Sequence, residues 1–246
     1  DHDGRELLAT ADRNGFFFIN HRITGELLSA EPFVPVNWAE GFDLETGRPI
    51  ENPEKRPTAT NKAEDVYPSF LGGKNWEPMA YNPETGLVYI PANDLTMDME
   101  AEAELSYNRG FFYLGAEWEM VTGPSGSPGH LMAWDPVKSE EVWSVPQEFP
   151  INGGTLTTGG DLVFFGNLEG EFAAFDATTG DKLWDFYAGS GINSGPMTYS
   201  VDGTQYVAVT VGRPTVIPGF VGGDLGKKMV DATPAGGSLV VFKLGD

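Results

Sequence analysis

The sequence predicts an all-β protein. Its apolar residues fall in short runs of strand length bounded by Gly, Pro, Asn and Asp: "GFFFIN", "GLVYIPAN", "GHLMAWD", "DLVFFGN", "EFAAFD", "QYVAVTV" and "SLVVFKL". None of these runs shows a sustained helical period. A single short, polar helix is expected over residues 97–105, "MDMEAEAEL".

A turn pattern recurs between these strands. "AFDATTGDKLWDF" is interpreted as strand, turn, strand, in which Asp176 opens the turn, Gly180 closes it and Trp184 lies on the next strand. "AWDPVKSEEVWSV" repeats the spacing with Asp135 and Trp143 but lacks the Gly. Weaker copies are centred on Asn82, Asp43 and His21. An Asp side chain can accept hydrogen bonds from the turn amides and Gly accepts a positive φ, so the pattern is typical of tight hairpins.

The spacing of the turns predicts a β-propeller. The turns at Asn82, Asp135 and Asp176 lie 53 and 41 residues apart, which is about what a four-stranded blade requires. A Trp on the strand after a turn can pack against the neighbouring blade and tie to it through its N–H. Roughly four blades fit in residues 1–246, the lower limit for a closed ring. Half of a larger ring would leave unpaired sheet edges, so the blade count alone leaves both arrangements open.

Charge and composition exclude several classes of partner. Thirty-six acidic and fifteen basic side chains give a net charge of -21, which repels phosphate backbones and anionic lipid surfaces, so no nucleic-acid partner is expected. No apolar run is long enough to span a membrane. Cysteine is absent, which excludes a thiolate nucleophile or metal ligand. The acidic surface is typical of a solvated exterior, with docking of a cationic protein as the alternative.

Several longer stretches carry a family resemblance. They are "ADRNGFFFINHRITGELLSAEPFV", "VNWAEGFDLETGRPIENP", "FLGGKNWEPMAYNPETGLVYIPAN", "NGGTLTTGGDLVFFGNLEGEFAAFDATTGDKLWDFYAGSGI" and "GPMTYSVDGTQYVAVTVG". In order and content they resemble the C-terminal half of the quinoprotein alcohol dehydrogenases, periplasmic eight-bladed propellers that hold pyrroloquinoline quinone (PQQ) and a metal ion. The resemblance implies that an N-terminal half of the same propeller, in the same polypeptide or as a second chain, completes the ring.

The resemblance implies a role for Arg13, which stands in "ADRNGFF" directly before three phenylalanines. In this family the Arg of "DRNG" points at the ortho-quinone oxygens of PQQ. A fixed cation there stabilises negative charge that develops during alcohol oxidation. From the residues alone, a surface or turn residue is the favoured interpretation of Arg13.

Other candidate cofactor contacts follow from the same resemblance. Asn75, in "GGKNWEP", matches a family Asn that hydrogen-bonds PQQ, and Trp76 flanks it, with a packed or solvated loop residue as the alternative. Asn152, in "INGGTL", stands where some members carry a Trp near a cofactor carboxylate. The backbone amides of Gly153 and Gly154 are candidate anion donors.

The stretch "VGRPTVIPGFVGGDL", residues 211–225, corresponds to a Gly-rich loop that lines the substrate entrance in the family. Phe220 is the candidate apolar wall of that entrance. The alternative is a Phe that merely packs within the loop.

The implied activity is the oxidation of a small primary alcohol to an aldehyde by PQQ, with electrons passed to a cytochrome c in the periplasm or outside the cell. The family's catalytic Asp and its calcium or lanthanide ligands lie mainly before "DRNG", so no metal ligand is assigned to this chain. A non-catalytic propeller scaffold and a quinoprotein acting on sugars are the alternatives. The coincidence of "DRNG" and "GGKNW" argues against the scaffold, and a wider entrance around Phe220 would favour sugars.

Overall fold

The structure is a computed structural model that describes residue 4 and residues 6–107, 109–110 and 113–243. Antiparallel strands dominate it, which confirms the all-β prediction. The chain divides into two compact units, the first comprising Asp1–Gly73 with Asp94–Gly126 and the second Lys74–Asn93 with Ser127–Asp246.

In chain order the strands are β1 (Leu7–Ala11), β2 (Phe16–His21), β3 (Leu27–Pro32), β4 (Ala39–Asp43), β5 (Arg48–Glu51), β6 (Ala63–Val66), β7 (Ala80–Asn82), β8 (Leu87–Asn93), β9 (Leu95–Ala101), β10 (Ala116–Thr122), β11 (Gly129–Asp135), β12 (Glu140–Gln147), β13 (Thr155–Thr158), β14 (Leu162–Gly166), β15 (Glu171–Asp176), β16 (Lys182–Tyr187), β17 (Met197–Val201), β18 (Thr204–Gly212) and β19 (Gly237–Lys243). The helices are a 3₁₀ turn (Pro53–Lys55), α1 (Ile217–Val221) and α2 (Gly223–Ala232).

The first unit contains the sheets β1-β2-β3 and β10-β9-β6 and the hairpin β4-β5. Its aromatic core explains the run of phenylalanines in β2. The rings of Phe16 and Phe18 each lie 5.0 Å from the ring of Phe42, edge to face. Trp38 closes the cluster 6.2 Å from Phe16 and donates its indole N–H to the carbonyl oxygen of Asn14 at 2.8 Å. Edge-to-face contacts of this kind add to the stabilisation that burial gives.

The second unit contains the four-stranded sheets β12-β11-β8-β7 and β13-β14-β15-β16 and the sheet β17-β18-β19. The two four-stranded sheets share one core, in which Tyr89, Leu131, Val163 and Phe165 are buried. Phe172 and Val209 are buried in a second core, which lies between β13-β14-β15-β16 and β17-β18-β19. Strands with apolar residues on a buried face account for both cores.

The predicted turn mechanism is confirmed at several hairpins. Asp176 Oδ1 accepts the amides of Thr178 and Thr179 at 2.8 and 2.9 Å, and these bonds, that of Thr179 foremost, hold the pKa of Asp176 below its ordinary value of 3.8. His21, the predicted Asp substitute, accepts the amides of Ile23 and Thr24 through Nδ1, each at 3.2 Å. Asp43 and Asp135 make equivalent pairs of bonds.

Trp143 joins neighbouring sheets, as its position after the Asp135 turn predicts. The indole N–H donates to the carbonyl oxygen of Ala177 at 3.1 Å, and Tyr89 donates its hydroxyl to the same oxygen at 3.0 Å. The indole also covers Gly180, where a Cβ would lie 2.7 Å from the ring. Trp184 packs edge to face on Phe242, 5.1 Å away in the next sheet.

The structure corrects three expectations. Asn82 and Asp135 close turns of one sheet, β12-β11-β8-β7, so their spacing is not a blade repeat, whereas Asp135 and Asp176 lie in neighbouring sheets. Residues 97–105 contain no helix, because most of them extend β9, where Met97 is buried. The helices α1 and α2 instead lie within and beyond the predicted Gly-rich loop. No helix in the described ranges is long and apolar enough to cross a membrane.

A comparison of Gly25 and Gly180 measures how tightly the Trp143 ring packs on Gly180. Both have φ +77, but a Cβ at Gly25 meets nothing within 4 Å, whereas one at Gly180 collides with the Trp143 ring. We expect Gly25→Ala to cost about 1 kcal/mol of unfolding free energy through backbone strain. Gly180→Ala should cost about 1–3 kcal/mol more through overpacking. Chemical denaturation of the two variants checks this, and equal losses would show that the indole moves aside without cost.

Candidate functional site

Arg13 lies in the turn between β1 and β2 in the first unit. Its backbone N–H donates to Asp12 Oδ1 at 2.5 Å, and its carbonyl oxygen accepts the amide of Gly73 at 3.0 Å. Gly72 has φ +90, and a Cβ there would lie 2.5 Å from Arg13 Cγ. The glycines of "GGKNW" therefore pack directly on the arginine of "DRNG", which no larger residue could do.

The Arg13 side chain is exposed, although the strand that follows it is buried. Its Nη2 donates to the carbonyl oxygen of Phe70, whose ring packs on Trp118 at 5.2 Å. Of the nitrogens in the Arg13 guanidinium, Nη2 has a hydrogen-bond partner among the residues that the structure describes. The guanidinium is thus anchored at one nitrogen and keeps donors for a ligand.

Asn75 and Trp76 lie on a turn of the second unit that leads to β7. Both side chains are exposed, and that of Trp76 retains 55% of its accessible surface. The side chains on either side, Lys74 and Glu77, are buried and bond the backbone of Asn75. The turn therefore presents an amide and an indole to solvent from a fixed backbone.

Asn152 and Gly153 follow Ile151, which is held by a buried side chain. Asn93 Oδ1 accepts the Ile151 amide at 2.6 Å, and Asn93 Nδ2 donates to the Ile151 carbonyl oxygen at 3.0 Å. Asn152 Nδ2 reaches Asn193 Oδ1 at 3.5 Å. This long contact leaves the Asn152 amide available to a better acceptor.

Thr155 brings these two segments together. Its amide donates to the carbonyl oxygen of Pro78 at 2.9 Å, and its hydroxyl lies 3.3 Å from the same oxygen and 3.0 Å from that of Tyr89. A Cβ at Gly154 or Gly195 would collide with the Pro78 ring. The Asn75 turn is therefore packed on the segment that carries Asn152 and Gly153.

The glycine amides fit an anion less well than the sequence indicates. The Gly154 amide is already directed at the Ser194 carbonyl oxygen, at 3.4 Å. A Cβ on Gly153 would face the carbonyl oxygens of Ile192 and Gly166 at 3.1 and 3.2 Å. An anion at Gly154 would have to compete with this long bond, and the roles of Gly153 and Gly154 as anion donors stay predictions.

Phe220 lies in α1 and is half-buried, so the prediction that it sits in an irregular loop is wrong. The helix forms because Pro218 stands in its first turn and Gly222, with φ 65, ends it. Gly226 and Met229 form the buried face of α2. The hydroxyl of Thr233, just after this helix, donates to the Leu168 carbonyl oxygen at 3.0 Å. A role of Phe220 at a substrate entrance stays a prediction.

The second unit thus gathers Asn75, Trp76, Asn152 and Gly153, while Arg13 belongs to the first unit. The accessible groups are a guanidinium in the first unit and carboxamides in the second, all of which donate hydrogen bonds. Each donor taken by itself suits an anionic ligand that carries carboxylates, as PQQ does. In the described ranges no three His, Asp or Glu side chains are grouped so that they could hold a metal ion.

Comparisons with known proteins agree with the sequence resemblance. A family model described as "Glucose/ethanol/alcohol dehydrogenase, beta-propeller domain" matches residues 117–207. A quinoprotein ethanol dehydrogenase of Pseudomonas putida is 44% identical over 253 residues, covering 99% of this chain and 40% of that protein. A 1-butanol dehydrogenase (cytochrome c) of Thauera butanivorans is 40% identical over 250 residues, covering 98% of this chain and 35% of that protein.

A solved structure gives the same result for the fold. A europium-containing methanol dehydrogenase matches with a TM-score of 0.89 at 36% identity, over 97% of this chain and 45% of that one. The predicted fold class, a β-propeller, is thereby confirmed. Over almost its whole length the chain is therefore similar to quinoprotein alcohol dehydrogenases, and it spans about 40% of the length of the first relative.

Sequence reasoning missed the residues that hold the candidate contacts in place: Lys74, Glu77, Asn93 and Thr155. Charged residues on both sides of Asn75, in a loop bounded by Gly and Pro, were an indirect signal of a positioning role. Charged side chains ordinarily stay in water, so those in a tightly packed loop are buried only where they make specific bonds. Asn93 gave a weaker one, a polar residue at the end of an apolar strand.

A cavity of about 400 Å³ in the second unit lies among acidic side chains, including Glu148, Glu169 and Glu171. Burial raises the pKa of Glu169 above its ordinary value of 4.5, and the charges of Glu148 and Glu171 raise it further, against a backbone hydrogen bond that lowers it. Glu169 Oε2 is buried without a partner in the described part of the chain. Ionised Glu169 therefore destabilises the fold.

The raised pKa of Glu169 fixes the sign of a pH effect. Its contribution to stability is fully present below pH 4.5, the unfolded-state value, and is lost as pH rises through the folded-state pKa. We expect Glu169→Gln to melt at a higher temperature than the wild type at neutral pH, with a difference that shrinks toward acid. The exposed Glu84→Gln is the control and should leave the melting temperature unchanged. A Glu169→Gln variant that is less stable at neutral pH would contradict this account.

Proposed function

We propose that this chain contributes the C-terminal half of a PQQ-dependent dehydrogenase that oxidises a primary alcohol to an aldehyde. The observation that carries the proposal is that Arg13 and Asn75 present exposed hydrogen-bond donors and Asn152 a half-buried one, each on a backbone fixed by buried or glycine-packed contacts. The likeness to proteins named alcohol dehydrogenases, over almost the whole chain, supports the substrate class. A non-catalytic scaffold has no need of donors held in this way.

Arg13 would hold and polarise the cofactor. PQQ, when bound, supplies a quinone that takes up two electrons from the alcohol. The guanidinium of Arg13 would donate to the quinone oxygens, where negative charge develops, and so stabilise the transition state more than the ground state. Its anchor, the Phe70 carbonyl oxygen, is a neutral acceptor that keeps it in place without neutralising its charge.

The second unit carries the other candidate cofactor contacts. The Asn75 carboxamide can donate to a quinone oxygen or a carboxylate without adding charge, and Trp76 offers an exposed indole beside it. Asn152, with the amide of Gly153, would face a carboxylate. Phe220 in α1 would form an apolar wall toward the alcohol.

The wider assignments follow from the family. We propose a cytochrome c as the electron acceptor, in line with the relative named 1-butanol dehydrogenase (cytochrome c), and a periplasmic or secreted location. A calcium or lanthanide ion would be held mainly by residues outside this chain. The relative named europium-containing methanol dehydrogenase is in keeping with a lanthanide.

The sheet β17-β18-β19 offers a surface for the rest of the propeller. Val240 and Phe242 pack into the core, and the alternation along the strands turns Leu239 and Val241 to the other face. Met197, Tyr199 and Val201 of β17 share that exposed face through the strand register. We call these last five residues the open face. We propose that the N-terminal half of the same propeller covers it, so that residues 1–246 form roughly four of eight blades.

Substitution of Arg13 tests the catalytic proposal. In the assembled holoenzyme we expect Arg13→Ala to lower kcat for alcohol-dependent dye reduction about a hundredfold, comparable to losing one preorganised donor to a developing oxyanion. Arg13→Lys should recover part of the rate, because a point charge survives but the planar fork does not. The matched control is Arg22→Ala, which removes an exposed guanidinium paired with Glu6 at 2.7 Å and should leave kcat unchanged. Normal turnover with a lowered melting temperature in Arg13→Ala would mean that Arg13 is structural.

A charge on the open face tests the assembly proposal. Leu239→Lys should reduce the fraction of the chain that co-purifies with the co-expressed N-terminal half, because a buried unpaired charge is costly. Ile23→Lys, at an exposed turn position of the first unit, is the control and should co-purify normally. Undiminished co-purification of Leu239→Lys would show that the open face is not the contact.

A further inference from the structure

The backbone of Asn75 is held from both sides by charged side chains. Glu77 Oε2 accepts the Asn75 amide at 2.8 Å, and Lys74 Nζ donates to the Asn75 carbonyl oxygen at 3.1 Å. Glu77 and Lys74 are 2% and 8% exposed, whereas the Asn75 side chain between them points to solvent. Both peptide groups of this one residue are thus engaged by buried charges.

Such an arrangement is costly for a turn. Removing a carboxylate and an ammonium from water is unfavourable unless each makes good hydrogen bonds, and apolar residues of similar volume often give equal or greater stability. Hydrogen bonds with an ionised partner are shorter and stronger than neutral ones. Their effect here is to fix the position of Asn75.

The end of the turn does not depend on these two residues. The Pro78 carbonyl oxygen accepts the Thr155 amide at 2.9 Å, and the Pro78 ring fills the space left by Gly154 and Gly195. Strand β7 and its sheet are therefore anchored one residue beyond Glu77. Loss of the Glu77 carboxylate should free Asn75 without undoing the sheet.

We propose that Glu77 and Lys74 are positioning residues that hold the Asn75 backbone so that its carboxamide meets PQQ in one geometry. The inference rests on the proposed function of Asn75. Neither residue contacts the cofactor in this account, because both act through the peptide groups of Asn75. A donor fixed before binding loses less conformational freedom when the ligand arrives, which strengthens affinity.

The test uses the assembled dehydrogenase, stripped of PQQ and titrated with PQQ by equilibrium dialysis. We expect Glu77→Ala and Lys74→Met each to raise the Kd for PQQ on the order of tenfold, the effect of losing one hydrogen bond to a charged group. Glu77→Gln keeps an oxygen that accepts the Asn75 amide and should restore the Kd to within about twofold of the wild type. Hydrogen exchange of the Asn75 amide, measured without PQQ, should speed up in Glu77→Ala and recover in Glu77→Gln.

A matched control separates positioning from stability. Tyr89→Phe removes the bond from a buried hydroxyl to the Ala177 carbonyl oxygen in the same unit and should lower the melting temperature while leaving the Kd for PQQ unchanged. A Kd raised as far by Tyr89→Phe as by Glu77→Ala would overturn the inference, because general destabilisation would then explain both.

Asn75→Ala distinguishes the two levels of the argument. If it leaves the Kd for PQQ unchanged, the proposed function of Asn75 fails. If it raises the Kd while Glu77→Ala and Lys74→Met leave both the Kd and the Asn75 exchange rate unchanged, the positioning inference fails and the proposed function stands. Should Glu77→Ala not fold, Lys74→Met decides, and an unchanged Kd in that variant overturns the inference.

Discussion

The hydrogen bond from Thr155 to the Pro78 carbonyl oxygen holds together the two chain segments that carry the candidate site of the second unit. One carbonyl oxygen receives the amide and lies within reach of the hydroxyl of the same threonine. Through it, the first residues of β13 fix the turn that precedes β7, so two chain segments far apart in sequence share one anchor. The glycines at positions 154 and 195 are required here because the proline ring occupies the place of their side chains.

Much of the fold could be predicted because the relevant physics is local. A residue such as His21 takes the place of Asp in a turn because an unprotonated ring nitrogen accepts the same two amides as a carboxylate oxygen. The docking of Trp143 followed from its distance to Asp135. Which turns belong to the same sheet could not be predicted. The Asn82 turn has the same local chemistry as the Asp135 turn, and only the strand pairing shows that both belong to one sheet.

The candidate site was predictable only in part. Arg13 and Asn75 were assigned only through a resemblance, and the structure adds the reason for the glycines between them in the sequence. Glu77 and Asn93 gave only indirect signals in the sequence, because a polar residue near a turn is ordinarily solvated and its burial is decided by distant segments. The helix around Phe220 was missed because several glycines hide its pattern, although Pro218 and Gly222 mark its ends.

The carbonyl oxygen of Ala177 accepts both the Trp143 indole and the Tyr89 hydroxyl. A carbonyl has two lone pairs, so both bonds can form at once, and each polarises the acceptor that the other uses. The two aromatic residues are therefore energetically coupled although they lie on different strands. Removing one donor costs the junction between these sheets one hydrogen bond, whereas an unpaired buried acceptor, with its larger cost, arises only when both donors are removed.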